Sequence, residues 1–287
     1  MTPTPNRPSA HAPDPLALSE LETLALAAAQ AGAAVLVKSF RRERAWVRTK
    51  SSSTDMVSDA DARAQAAVIS RLRRARPEDG LLAEESAEVL GSSGLRWVVD
   101  PLDGTTNFLY GLPTWGVSVA VEDVETARML AGAVVDPMAG EAFSAHLGGG
   151  ARRWTPQGGR EPIRPTPAGP ELRHSLIATG FAYDADRRRA QGAKVAELLS
   201  DVRDIRRVGA ASIDLCWTAA GRFDAYFEEG LKPWDFAAGA LVAEEAGCVV
   251  LMLGPDASMP RPVLLAGRRQ VVEALSVRLG GTSVPPP

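Results

Sequence analysis

The chain has 287 residues, a formal net charge of −3 and a hydrophobic content of 45%, enough for one large domain or two closely packed halves. Its slight acidity argues against a nucleic-acid surface, which usually wants a basic domain. Two cysteines and three histidines supply neither a disulfide framework nor a zinc site, so Cys216 and Cys248, both set among apolar residues, read as core side chains in a reducing cytoplasm.

Residues 1–14, rich in Pro, Ala and Ser, read as a disordered lead-in, and 283–287 as a similar tail. No basic start with an apolar stretch marks a secretory signal. No apolar run approaches the ~20 residues of a membrane span, so no membrane contact is expected. Ser19-x-x-Glu22 has the form of a capping box and is expected to open a long Ala/Leu helix to about Phe40. A second helix over 59–76 stops at Pro77 and Gly80. Short apolar runs at 81–83, 97–99, 116–121 and 131–135 predict strands, and 141–146 with 151–154 predict a hairpin around Gly148 to Gly150.

The stretch 155–170, dense in Pro and Gly, predicts a linker or long surface loop. Beyond it, strands at 175–179, 204–208, 223–227, 249–253 and 263–266 alternate with helices at 185–199, 212–220, 235–246 and 269–279. The result is a mixed α/β chain in two halves, 15–160 and 161–282, with no internal repeat. The arginine-rich runs at 71–76, 187–189 and 203–207 predict solvated faces.

Chemistry concentrates where the strand Trp97-Val98-Val99 ends in Asp100-Pro-Leu-Asp103-Gly-Thr-Thr-Asn-Phe108. Carboxylates at the exit of a buried strand are costly to desolvate unless a cation meets them, and oxygen ligands suit Mg²⁺. Gly104 lets the backbone approach an anion, and the following amides could face phosphate oxygens if a helix starts there. Together these point to metal-assisted phosphoryl chemistry, although a bare Asp-x-x-Asp-Gly is more often an ordinary turn. Carboxylates also mark other structural breaks: Asp59 and Asp61, Glu84 and Glu85, and Asp235 after Pro233-Trp234. Each has a local explanation in helix dipoles or turns. If they converge, only divalent ions would relieve their repulsion.

These segments, with the run from Lys50 to Asp61, Arg207-Val-Gly-Ala-Ala-Ser-Ile-Asp-Leu-Cys216 and Asp224-Ala-Tyr-Phe-Glu228, resemble the inositol monophosphatase family in order, over about residues 16–280. The match is closest to the bacterial inositol-1-monophosphatases. The resemblance implies an αβαβα layered sandwich, commonly homodimeric and often lithium-inhibited, using two or three Mg²⁺ ions. Glu84, Asp100 and the Leu102 carbonyl would hold the first ion, and Asp100, Asp103 and Asp235 the second, with Glu84 aiding a third. Thr105 with Asp61 would activate the attacking water. The Gly104 and Thr105 amides would bind phosphate, while Asp103, Glu228 and the backbone near Ala211 would contact the polyol.

The implied activity is hydrolysis of inositol 1-phosphate or a similar small phosphate monoester in the cytoplasm. Fructose 1,6-bisphosphate, histidinol phosphate and adenosine 3′,5′-bisphosphate phosphatases share the machinery. A role as a protein-binding partner of the transcription apparatus also stays open. Ala83 replaces a glycine frequent in the family, Lys232-Pro233 precedes Trp234, and Glu229 is expected to be an exposed loop acid.

Overall fold

The computed structural model describes residues 15–40, 48–49, 56–57, 59–166, 171–255, 259–280 and 283–284; the expected lead-in, the last three prolines and most of 50–58 lie outside them. The first half runs α1 (Pro15–Ser39), β1 (Arg48–Thr49), β2 (Met56–Val57), α2 (Asp59–Ala75), β3 (Gly80–Ala83), β4 (Leu95–Asp103) and α3 (Thr105–Tyr110). It continues through β5 (Gly116–Asp123), β6 (Arg128–Asp136), β7 (Glu141–His146), β8 (Ala151–Trp154) and β9 (Arg160–Pro162). After a short turn of 3₁₀-helix come β10 (Leu176–Thr179), α4 (Ala185–Leu198), β11 (Asp204–Arg206), α5 (Ala211–Ala219), β12 (Ala225–Glu229) and α6 (Pro233–Ala246). The chain closes with β13 (Val249–Leu253), β14 (Val263–Gly267), α7 (Arg269–Leu279) and β15 (Ser283–Val284).

Strands β3 to β9 form one sheet in sequence order, and a second sheet has the order β11-β10-β12-β14-β13-β15. Side chains alternate across each strand, so both sheets bury both faces. On β4, Trp97 and Val99 join the core beneath α1 and α2, while Val98 joins the core around α5 and α6. On β12, Tyr226 faces that same middle layer, whereas Ala225 and Phe227 face an outer core containing Leu198 of α4 and Val271 and Leu275 of α7. The layers therefore run helix, sheet, helix, sheet, helix: an αβαβα sandwich, as the resemblance implies. Burial on both faces explains why the strands read as continuous apolar runs rather than strict alternation.

Three expectations need correction. The helix opening lies at Pro15, not Ser19, whose carbonyl accepts from Thr23 Oγ1 inside α1. Glu22 is 3% exposed and faces β7, where Ser144 Oγ donates to it at 2.7 Å and His146 Nδ1 lies 2.5 Å away. Its tertiary partners, not a helix end, explain this acid. The expected linker contains β9, which pairs antiparallel with β8 after a turn closed by Thr155 N–H to Gly159 O at 3.1 Å. The run at 187–189 is not simply a solvated face, because Arg187 is half-buried against Glu229.

Helix α1 is long and apolar enough, by length and composition, to cross a membrane, but half of its most apolar window is buried inside the fold. Cys216 and Cys248 are both buried and free, and burial pushes the Cys248 thiol up to about 12.

Candidate active site

Asp100 and Asp103 sit three residues apart, a spacing that sends side chains to opposite faces of a regular strand. The pairing of β4 with β5 breaks between them: Asp100 lies opposite Ser118 and Asp103 opposite Gly116. That extra residue on β4 is a bulge, which bends the strand and re-aims its side chains. Pro101, with no N–H to place in a ladder, fits it. The Leu102 N–H donates to Asp100 Oδ1 at 3.0 Å, and Thr105 Oγ1 donates to the Leu102 carbonyl at 3.0 Å.

Gly104 turns the chain at φ 86°, and a Cβ there would meet Thr114 O at 3.1 Å and Ala210 Cβ at 3.2 Å. A side chain would therefore be both strained and obstructed. The turn feeds α3, which is seated by Phe108 packed edge-on against Trp115 with centroids 5.1 Å apart. Asn107 Nδ2 donates to Thr114 O at 2.7 Å and to Val208 O at 2.9 Å, joining this loop to the segment that opens α5.

At that segment Asp103 finds its partner. Ser212 donates to Asp103 Oδ2 from its backbone at 2.7 Å and from its hydroxyl at 2.5 Å, so the carboxylate lies at the N-terminus of α5, beside Ala211. Asp235 occupies the first turn of α6, where its Oδ2 accepts from the Lys232 N–H at 2.6 Å. Ser118 Oγ donates to Trp234 O at 3.3 Å, fixing that turn to β5. Glu84 leaves β3 with its N–H on Val99 O at 3.2 Å, one residue from Asp100.

These acids feel one another. Burial, then the charges of Glu84, Asp103 and Asp235, hold the Asp100 carboxyl well above its usual range. Burial raises Asp103 to about 6 against the Ser212 hydrogen bonds, with Glu84 adding to the rise. Burial likewise raises Asp235, reinforced by Asp103 and Glu84. No Lys, Arg or His among the described residues forms an ion pair with Asp100, Asp103 or Asp235. No three acids among them already stand in a metal-binding group. The donor set nonetheless suits a hard divalent cation: all oxygen and mutually repelling.

Glu228, at the end of β12, accepts from Tyr226 Oη at 2.7 Å, and burial raises it to about 7. Gly180 makes room for it, since a Cβ there would lie 1.8 Å from Glu228 Oε2. Asp214 of α5 is 1% exposed with neither carboxylate oxygen hydrogen-bonded, and burial followed by Glu228 and Asp103 raises it strongly. Glu84, Glu228 and Asp235 line one cleft of about 530 Å³.

The structure thus brings Glu84, Asp100, Asp103 and Asp235 within electrostatic reach, with Gly104, Thr105, Ala211 and Glu228 around them. Asp61 is buried in the first turn of α2. Ser212, Tyr226, Asp214 and Gly180 belong to the same surroundings and were not expected. Tyr226 had a usable signal in standing two residues before Glu228 on one strand face, and Ser212 and Asp214 lie in the Arg207 to Cys216 stretch that carries the resemblance. Glu229 is not the exposed acid expected: it is 7% exposed, points to the other side of β12 and accepts from Gln191 Nε2 at 2.7 Å.

The sequence pattern described as the inositol monophosphatase family matches residues 17–279. An inositol-1-monophosphatase of Mycobacterium bovis is 41% identical over 238 residues, covering 81% of each chain. A Nus factor SuhB of Salmonella typhimurium is 37% identical over 256 residues, covering 88% of this chain and 93% of that one. Among solved structures, Mycobacterium tuberculosis SuhB superposes with a TM-score of 0.74 at 35% identity, covering 92% of this chain and 95% of the other.

Proposed function

The chain belongs to the inositol monophosphatase family, and from that premise we propose that it is a Mg²⁺-dependent phosphatase converting inositol 1-phosphate, or a similar small polyol phosphate, to the free alcohol and phosphate. One observation supports this reading above the rest: a bulge in β4 separates Asp100 from Asp103 beside the Gly104 turn, and Asp100 feels the like charges of Glu84, Asp103 and Asp235. Glu84, Asp100, the Leu102 carbonyl, Asp103 and Asp235 would hold two or three ions. Bound Mg²⁺ would supply an acidified water and charge neutralisation at the ester oxygens.

The remaining work falls to the protein. Thr105 orients the water and relays its proton to the Asp61 carboxylate. The Gly104 and Thr105 amides receive the phosphate oxygens as charge builds on them. Glu228, Asp103 and the Ala211 backbone hold the alcohol by its hydroxyls, since an ionised carboxylate accepts several hydrogen bonds at once. The proposal extends to a cytoplasmic homodimer, with the dimer testable by sedimentation.

Purified protein with Mg²⁺ and inositol 1-phosphate is expected to release phosphate, and to stop on chelation. No turnover across sugar, polyol and nucleotide monophosphates would overturn the reading. The relative named a Nus factor motivates a second one, a partner of the transcription apparatus. Rescue of a deletion phenotype by Asp100→Asn would favour that alternative.

A further inference from the structure

The buried face of α2 is an apolar stripe with two exceptions. Ala60, Ala64, Val68 and Leu72 pack into the core that α2 shares with α1 and the first sheet, while Asp61 and Gln65 are buried polar residues on the same helix. Asp61 is 1% exposed and Gln65 7%. Four residues apart, they stand one helical turn from each other on one face. A buried amide is costly unless it is hydrogen-bonded, and an apolar residue at 65 would continue the stripe without that cost. Helix packing alone therefore does not account for Gln65.

Its partner lies in the segment that carries a proposed metal ligand. Gln65 Oε1 accepts from the Glu85 N–H at 3.0 Å. The bond falls where β3 leaves the sheet: the Glu84 N–H still reaches Val99 O of β4 at 3.2 Å, and the Ser86 N–H turns back to Ala83 O at 3.3 Å. Between them, the Glu85 N–H is met by a side chain of α2 rather than by a strand. One amide thus sets the backbone beside Glu84 against the helical turn that carries Asp61. An amide carbonyl does this without adding a further negative charge where carboxylates already repel one another.

We propose that Gln65 is a positioning residue of the metal site, holding the Glu84 ligand at a fixed distance from Asp61, so that an ion on Glu84 and the group that receives the water's proton stay in register. The inference rests on the phosphatase reading of the site. Gln65 touches neither substrate nor ion; it acts through the Glu84–Glu85 backbone, as outer partners of metal ligands do.

Calorimetric titration of the full-length, metal-free chain with Mn²⁺, which accepts the same oxygen ligands as Mg²⁺, tests this in a double-mutant cycle. Gln65→Leu should weaken Mn²⁺ binding by about tenfold, the low end of what losing such an outer partner costs a metal site. In the Glu84→Gln background the same change should cost nothing more, because the carboxylate it positions is gone. Gln65→Glu keeps an acceptor and should bind Mn²⁺ at least as tightly as the wild type. Should Gln65→Leu not fold, Gln65→Asn withdraws the acceptor by one methylene and takes its place. Unchanged binding on loss of the acceptor, a loss that persists in Glu84→Gln, or no recovery in Gln65→Glu overturns the inference and leaves the amide as a tie between α2 and β3. A wild-type chain that binds no Mn²⁺ overturns it together with the metal-dependent reading. Mn²⁺ binding without turnover of any ester removes the phosphatase reading alone, and the cycle still decides Gln65.

Discussion

Two buried acidic clusters of the first sheet are built on opposite plans. Glu22, 3% exposed, is met by Ser144 Oγ, by His146 Nδ1 and by Arg160 Nη2 at 3.5 Å. Asp100, 2% exposed, is met by Glu84, Asp103 and Asp235, all of its own sign. A buried carboxylate with donors around it ties elements together, while one surrounded by other carboxylates costs stability until a cation arrives. The first cluster joins α1 to β7 and β9. The second gathers like charges around Asp100.

The sharpest break between them comes from exchanging one acid in each. Asp100→Asn should lower turnover by about a hundred- to a thousandfold. The same change should raise the melting temperature of metal-free protein, because a like charge leaves the cluster. Glu22→Ala should do the reverse, costing about 3–5 kcal/mol in urea unfolding while the folded fraction keeps its kcat/KM. A destabilised Asp100→Asn, or a stable but inactive Glu22→Ala, would erase the distinction.

A smaller effect separates the alcohol-binding end of the cleft from its acids. Gly180→Ala places a Cβ 1.8 Å from Glu228 Oε2 and must displace that carboxylate. KM for inositol 1-phosphate should rise by about tenfold, one lost charged hydrogen bond, while an ester lacking polyol hydroxyls is hydrolysed as before. Equal losses on both esters would remove Glu228 from alcohol recognition.

Ser212→Ala deletes the hydroxyl 2.5 Å from Asp103 Oδ2 but keeps the backbone donor at 2.7 Å. Asp103 should then hold its proton to higher pH, shifting the acid limb of the Mg²⁺-activity profile upward with a several-fold loss at low pH. An unmoved limb would make the hydroxyl a packing group only.

The mildest effect is a slope. Asp103 titrates near 6 when folded, against a usual 3.8. Below about pH 4 both folded and unfolded chains keep this proton, and the stabilisation is complete. Between 4 and 6 only the folded chain retains it, so stability falls as pH rises and this contribution is gone above 6. Metal-free protein should therefore show urea midpoints declining from pH 4.5 to 6.5. Saturating Mg²⁺, which needs the ionised carboxylate, should flatten or reverse the trend. A metal-free midpoint rising over that interval would contradict the assigned environment of Asp103.

Much of the fold was legible because it is local. The strands at 249–253 and 263–266 and the helix at 269–279 carry their own apolar pattern and breakers, and the structure places elements there. At the site, the glycine turn and the helix start after Gly104 were readable from residue type alone, whereas the strand runs on to Asp103 rather than ending before Asp100. The β4 bulge was not, since it depends on the register with β5. Nor was β9, a short strand in a Pro/Gly-rich stretch that forms because β8 offers an edge. Glu229 was misread for a similar reason: its parity with Phe227 is written in the strand, but Gln191 and Arg187 waiting on that face are not.

The sequence by itself determined where the backbone turns and which segments bury both faces, because dihedral preference and periodicity are properties of near neighbours. Only the tertiary structure decided which acids meet like charges and which meet donors. Charge interaction and desolvation act through space and vary with burial. Glu22 and Asp100 are alike as isolated carboxylates; the strands and helices folded against them make one a brace and set the other among like charges.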